Sequence, residues 1–159
     1  MDDSDSIDRI LIATDGSPES LVAAEEGVRL AKALGAGVTF VAVAHAPLPV
    51  LGDPYYQRAV TENLGHMRTA LAKATSYAKE RRITYETELL EGSPAKAILE
   101  LARSRDADLI VVGSRGLGAV KGALLGSVSS AIVHQADRPV LVARPHPPGA
   151  TSRSTRISV

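Results

Sequence analysis

Cysteine is absent from this sequence of 159 residues, and neither sign of charge is in excess. Without cysteine the chain can form no disulfide bond and no thiolate metal site, and such a composition fits a reducing compartment. Lysine plus arginine number 18, as do aspartate plus glutamate, so the net charge predicts neither a nucleic acid nor an anionic membrane as a partner.

The sequence also lacks an apolar run long enough to cross a bilayer, and no basic segment followed by an apolar one resembles a secretion signal. We therefore expect a cytoplasmic protein that contacts no membrane. Since 45% of the residues are apolar, the chain can build the core of one globular domain. We assign that domain to residues 9–144, between a flexible N-terminal tail at 1–8 and a disordered C-terminal tail at 145–159.

Short apolar runs alternate along the chain with segments of helical periodicity. The runs predict five strands, which begin near Arg9, Val38, Thr84, Leu109 and Arg138. The order βαβαβαβαβ predicts a single-domain α/β fold, in which an open five-stranded parallel sheet carries helices on both faces in a Rossmann-like arrangement. We expect the strand order 3-2-1-4-5, with the third strand at an edge.

A glycine-rich stretch, 113–130, joins the fourth strand to the last helix. It contains Gly113-x2-Gly116 and, nine residues further on, Gly126-Ser127. Glycine allows a positive φ and a close approach of ligand to main chain, and the first N–H groups of a helix have no partner within it. We interpret the stretch as a phosphate cradle of main-chain amides. A flexible surface loop is the alternative, which glycine-rich sequence alone favours.

Asp15 ends the first strand, which the strand order places beside the fourth, where open parallel sheets bind ligands. Because Ser17 can cap the following helix, Asp15 is left for another role. Phosphates would repel a carboxylate, so we expect Asp15 to contact a ribose hydroxyl. A metal ion shared with the phosphates, or a turn hydrogen bond to its own backbone, are the alternatives.

Four further side chains could contact phosphates. Arg115 and Lys121 could supply positive charge or simply face solvent, whereas Ser127 and Ser129 could donate hydroxyls or cap the last helix. His45 is the nearest candidate base, but no second acid or metal cluster accompanies it, so we assign no catalytic residue.

The pattern Gly113-x2-Gly116-x9-Gly126-Ser127 resembles the ATP-binding branch of the universal stress protein family. The similarity extends from Ile10 to about Arg144, through the segments ILIATDGSPES, DADLIVVGSRG and LLGSVSSAIVHQADRPVLVAR. The resemblance implies ATP as the ligand, with or without Mg²⁺. Adenine and ribose contacts are then implied for Ala13, Thr14, Asp15 and Val43, and phosphate contacts for Gly113, Arg115, Gly116, Gly126, Ser127, Val128 and Ser129.

The same resemblance implies a homodimer formed by antiparallel pairing of the last strands, Val140 to Ala143. An exposed apolar edge strand would otherwise favour aggregation, which gives the dimer a physical reason.

Three functions are compatible with these features. The first is a nucleotide-dependent stress-response or signalling module, and the second is a slow ATPase or self-phosphorylating enzyme with Ser127 or Ser129 as acceptor. The third is a nucleotide-free dimeric interaction protein, which leaves the paired glycines unexplained. We rank binding above catalysis, and both above the nucleotide-free scaffold.

Overall fold

The computed structural model describes residues 6–47, 49–116 and 124–146. The predictions for Lys121 and for most of both tails lie outside these ranges. The elements in chain order are β1 Arg9–Ala13, α1 Pro18–Leu34, β2 Gly37–Ala44, a short 3₁₀ helix Pro49–Leu51, α2 Tyr55–Arg81, β3 Tyr85–Glu91, α3 Pro94–Ser104, β4 Leu109–Gly113, α4 Ser127–Gln135 and β5 Val140–Ala143.

The five strands form one parallel sheet in the order β3-β2-β1-β4-β5. The predicted fold class and strand order are therefore confirmed, as is the edge position of the third strand. Consecutive strands run outward from β1 on one side and from β4 on the other. The strand order reverses between these two neighbours, which leaves a crevice outside their carboxyl ends.

Alternate residues of the central strands feed two separate hydrophobic clusters. In β1, Ile10 and Ile12 face α1 and α2, whereas Leu11 and Ala13 face α3 and α4. Helices therefore cover both faces of the sheet, which explains why the strands are nearly continuous apolar runs. Phe40 of β2 is fully buried and meets Tyr85 of β3 edge to face, with ring centroids 5.9 Å apart.

The start of α1 follows the sequence prediction. Ser17 has extended backbone angles and its Oγ accepts a hydrogen bond from Ser20 N at 3.2 Å, while Pro18 opens the helix. The helix ends at Gly35 with φ of 72°, a conformation that glycine adopts without strain. This capped start fixes the turn after β1, where Asp15 lies.

Asp8, which the sequence places in the N-terminal tail, is bonded to the body of the domain. Its carbonyl accepts from Gly37 N at 2.8 Å, and Asp108 Oδ2 accepts from the main-chain N–H groups of both Asp8 and Arg9 at 2.9 Å. Within the described part of the chain, no helix is long and apolar enough to cross a membrane.

Candidate functional site

A cleft of about 350 Å³ opens at the carboxyl ends of β1, β2 and β4. All eleven residues that the resemblance implies as ligand contacts line it: Ala13, Thr14, Asp15, Val43, Gly113, Arg115, Gly116, Gly126, Ser127, Val128 and Ser129. They come from three separate parts of the sequence, so the strand order brings them together. The volume lies within the range typical of small-molecule sites.

Asp15 is held by the turn that it belongs to. Its Oδ1 accepts from Ser17 N at 2.9 Å, so the turn hydrogen bond considered from the sequence is present. Its Oδ2 faces Gly116, because a methyl group built on Gly116 would lie 2.5 Å from that oxygen. The carboxylate thus lies between the first turn and the glycine-rich stretch, half-buried in the cleft.

A network of buried hydroxyls supports this turn. Thr14 Oγ1 and Ser20 Oγ are 3.1 Å apart, and Ser20 Oγ donates to Ser17 O at 3.0 Å. The N–H of Asp15 donates to Ser20 Oγ at 3.3 Å, and the N–H of Gly16 donates to Thr14 Oγ1, also at 3.3 Å. Because these polar atoms satisfy one another, the floor of the cleft is rigid before any ligand arrives.

Neighbouring atoms, and not a positive φ, explain the described glycines of the 113–130 stretch. Among the described glycines, positive φ occurs at Gly16, Gly35, Gly52 and Gly92, whereas Gly126 has φ of −70°. Positive φ, one of the two properties that glycine allows, is therefore not used by the described glycines of the 113–130 stretch.

Main-chain neighbours leave no room for a side chain at Gly113 and little room at Gly126. A Cβ on Gly113 would lie 2.7 Å from the carbonyl of Glu19 and 2.9 Å from Ser20 N, so β4 packs directly on the first turn of α1. At Gly126 a Cβ would lie 3.3 Å from Arg115 Cα. Gly113 therefore serves helix-strand packing, and Gly126 brings the start of α4 against the end of the β4 segment.

The amino end of α4 points its first main-chain amides into the cleft. Gly126 is the N-cap, and its own N–H donates to Ser114 O at 2.7 Å. Ser130 N makes the first helical bond, to Gly126 O at 2.9 Å. For the N–H groups of Ser127, Val128 and Ser129 the described residues supply no hydrogen-bond partner. Such groups, at the positive end of the helix dipole, favour an anion.

The two serines of this helix differ. Ser127 is exposed and is the first helical residue, so it is not the N-cap that the sequence allowed. Ser129 is buried, and its Oγ donates to the carbonyls of Ser114 at 3.1 Å and Gly126 at 3.2 Å. Ser127 can therefore present its hydroxyl to a ligand or solvent, whereas the Ser129 hydroxyl is engaged in holding the loop.

Side chains from α2 and α3 complete the cleft, and sequence reasoning missed them as site residues. In all, the lining residues that the resemblance does not imply are Ser20, Val41, His45, Asn63, Met67, Pro94, Ile98 and Val112. Most are apolar, and Val41 of β2 lies on the β2 side together with Asn63 and Met67 of α2, which packs on β2. The cleft thus has an apolar end near β2 and an amide-rich end near α4.

Few groups in the cleft can hold a proton. Of the described lining residues, Asp15 and His45 could act as acid or base, and Arg115 supplies an exposed positive charge. The described residues contain no group of three histidine, cysteine or acidic side chains that could hold a metal ion. The arrangement is suited to holding a ligand with a flat apolar part and an anionic part.

The protein-family model described as "Universal stress protein family" matches residues 6–144 of this chain. The protein called "Universal stress protein in QAH/OAS sulfhydrylase 3'region" of Thermus aquaticus is 40% identical over 136 residues, which cover 85% of this chain and 97% of that protein. Universal stress protein UspA from Lactobacillus plantarum has a TM-score of 0.79 at 26% identity and covers 87% of this chain and 99% of that one.

A crystal structure described as a universal stress protein in complex with cAMP is also similar. Its TM-score is 0.66 at 28% identity, and the match covers 86% of this chain and 96% of that chain.

Proposed function

The chain belongs to the universal stress protein family, and from this premise we propose that its cleft binds an adenine nucleotide, ATP with or without Mg²⁺. Occupancy would make the protein a nucleotide-dependent stress-response or signalling module of the cytoplasm. The observation that carries the proposal is the meeting of all eleven implied contact residues around one cleft. The neighbour described in complex with cAMP supports an adenine nucleotide as the ligand class.

The two ends of the cleft fit the two ends of a nucleotide. Since β1 separates β2 from β4, their carboxyl ends lie roughly 10 Å apart, two inter-strand spacings. The base would lie on the apolar side near Val43 and Met67, and the phosphates would accept hydrogen bonds from the amides of α4. Asp15, between them, would accept from a ribose hydroxyl.

The main chain of β2 supports this orientation. Ala13, the last residue of β1, pairs with Val41, and Thr14 N donates to Val41 O at 2.9 Å. Alternate residues of a parallel strand direct their main-chain groups to the same side. The N–H and C=O of Val43 therefore face the side where β1 has ended, and a base edge could bond to them.

Two measurements test the proposal. Mass spectrometry of the supernatant from heat-denatured purified protein detects a co-purified nucleotide, and thermal unfolding measures the change in Tm on addition of ATP, AMP or cAMP. We expect a co-purified adenine nucleotide or a concentration-dependent rise in Tm. At a ligand concentration a hundred times Kd, binding adds about 2.7 kcal/mol to the free energy of unfolding. The absence of both signals would overturn the proposal and favour a nucleotide-free scaffold.

Slow hydrolysis or self-phosphorylation is the second candidate, and the geometry favours it less. His45 follows β2, at the base end, whereas Ser127 begins α4 at the phosphate end. Ser127 is the accessible acceptor, since Ser129 is buried. Phosphate release in the presence of Mg²⁺, measured for the parent chain and for His45→Ala, tests this candidate. Turnover that His45→Ala abolishes would rank catalysis first.

We also propose that the protein forms a homodimer through β5. This edge strand pairs with β4 on one side, and Leu141 in its middle is 37% exposed. Light scattering coupled to size-exclusion chromatography should give a dimer that Leu141→Lys dissociates. Leu34→Lys, at a leucine that ends α1 and is 46% exposed, serves as control and should leave the mass unchanged. A monomeric parent chain would contradict the proposal.

A further inference from the structure

We propose that Asn63 of α2 reads the base, accepting a hydrogen bond from the 6-amino group of adenine and disfavouring 6-oxopurines. The inference rests on the proposed nucleotide function of the cleft. Asn63 and Met67 both line this cleft and are four residues apart on one helix, so they share the face that closes it opposite the strand ends. The resemblance implies no contact from either residue.

The orientation of the Asn63 amide is fixed by the main chain of the neighbouring loop. Its Nδ2 donates to the carbonyl oxygen of His45 at 2.7 Å. A carbonyl oxygen can only accept, so the amide must turn Nδ2 towards His45 and Oδ1 the other way. No described residue donates a hydrogen bond to Oδ1, and the side chain is half-buried. The cleft therefore carries an acceptor whose direction is set in advance.

This acceptor lies at the base end of the cleft. Val43 and His45 are two residues apart at the end of β2, and the buried Met67 lines the same cleft. The amides of α4 lie by the end of β4, two strand positions from β2, which is roughly 10 Å by the spacing of neighbouring strands. A group bonded to Asn63 therefore belongs to the apolar, flat part of a nucleotide and not to its phosphates.

Purines differ at the atom that such an acceptor would meet. The 6-amino group of adenine donates a hydrogen bond, whereas the 6-oxo group of hypoxanthine or guanine only accepts. Two acceptors facing each other leave both unpaired, and a site built to hydrogen-bond a group disfavours analogues that lack it. Because Asn63 is half-exposed, water relieves part of this penalty, and we expect ATP to bind about tenfold more tightly than ITP.

Isothermal titration of the full chain with ATP and ITP tests the inference. ITP carries a 6-oxo acceptor in place of the 6-amino donor and also a hydrogen on N1, so the triphosphate of the 6-unsubstituted purine riboside, which differs from ATP at the 6-position alone, is titrated beside them. For Asn63→Ala we expect the ratio of the two Kd values to fall several-fold from about ten, mainly through weaker ATP binding, and the main-chain groups of Val43 would account for the preference that remains. Thr61→Ala is the matched control on the same helix. Thr61 is exposed, and among the described residues its hydroxyl bonds to Gln57 O alone, so the ratio should stay that of the parent chain.

Other outcomes separate a reading role from a structural one. If Asn63 only ties the loop to α2, Asn63→Ala weakens ATP and ITP equally, which would overturn the inference. Should the variant fail to fold, the parent chain still decides, because a triphosphate of the 6-unsubstituted purine riboside should bind with an affinity between those of ATP and ITP. Equal binding of ATP and ITP by the parent overturns the inference alone; binding of no nucleotide overturns the proposed function as well.

Discussion

The two ends of the parallel sheet each carry a depression of similar size but of opposite chemistry. The cleft at the carboxyl ends measures about 350 Å³, and a groove at the amino ends, lined by Arg9, Gly37 and Arg105 among others, measures about 390 Å³. The amino-end groove carries ion pairs, Arg9 with Asp106 at 3.7 Å and Arg105 with Glu86 at 2.7 Å. Its charges already have partners within the protein.

The two depressions have similar volumes, so what distinguishes the candidate site is the direction in which the helices point their main-chain N–H groups. In a parallel α/β sheet the helices begin at the carboxyl ends of the strands and end at the amino ends. Main-chain N–H groups, such as those of Ser127 and Val128, are therefore directed only into the carboxyl-end cleft. The opposite groove receives helix carboxyl ends, and its side-chain charges satisfy one another.

Replacing one glycine at each end of the sheet by valine gives the largest expected difference in ATP affinity. In Gly116→Val the new Cβ would lie 2.5 Å from Asp15 Oδ2 and would displace that carboxylate into the cleft. We expect ATP affinity to fall at least about a hundredfold, with an unchanged circular dichroism spectrum because only a side chain must move.

Gly37→Val at the amino end is the control for this substitution. A Cβ there would meet Asp8 O at 3.8 Å, an ordinary contact, and valine suits a strand. ATP affinity should not change, and a similar loss in both variants would contradict the contrast between the two ends.

Gly113→Ala should lower the free energy of unfolding in addition to disturbing the geometry of the cleft. The added methyl group would collide with main-chain atoms of Glu19 at 2.7 Å, which no side-chain rotation can relieve. We expect the free energy of unfolding to fall by about 3 kcal/mol in urea titrations. Gly65→Ala, in an exposed part of α2 with nothing within 4 Å, should raise it by about 0.5–1 kcal/mol. Equal effects would show that the β4–α1 contact is not tight.

Replacing one arginine at each end of the sheet by alanine should give a smaller difference in ATP affinity. Arg115 is exposed at the rim of the cleft, so removing its charge in Arg115→Ala costs about 1 kcal/mol with a phosphate nearby, roughly a fivefold loss of ATP affinity. Affinity for adenosine, which has no phosphate, should stay the same. Arg105→Ala, at the opposite end, should alter neither affinity. An unchanged ATP affinity in Arg115→Ala would show that Arg115 faces solvent alone.

Much of the fold could be predicted from local pattern. The apolar runs marked five strands, and the Ser-Pro pair at Ser17 marked the start of α1. The expected strand order placed Asp15 at the same edge of the sheet as Gly113, about a hundred residues away in sequence, and the structure adds the approach of Asp15 to Gly116. Periodicity and turn chemistry are properties of neighbouring residues, so they remain readable without a structure.

Residues that approach the cleft across the helices could not be predicted as readily. Met67 fits the apolar periodicity of α2, which predicts a core residue, and the same side chain also lines the cleft. The role of Gly113 depends on how closely β4 packs on α1, a distance that no local pattern contains. Asn63 did leave a signal: it is a polar residue one helical turn before a buried methionine.

Asp137 lies in the turn that leads into β5 at the amino end of the sheet, and its replacement should have the smallest effect, on the pH dependence of stability. Its Oδ1 accepts from Arg138 Nε at 2.8 Å and its Oδ2 from Arg103 Nε at 3.2 Å. The bond from Arg138 is the largest of the causes that bring the pKa of this carboxyl from 3.8 to about 2. Desolvation is the next largest and raises the pKa, and the bond from Arg103 lowers it again.

Because the folded pKa of Asp137 lies below the unfolded value, its contribution to stability is complete above pH 3.8 and is lost as the pH falls through about 2. Asp137→Asn should therefore flatten the pH dependence of unfolding within that window. The variant and the parent chain should converge at the acid end. Acid titration followed by circular dichroism measures the two curves, and parallel curves across the window would contradict the ion pair. The pairs of the amino end would then contribute geometry without measurable stability, in keeping with exposed charges in water.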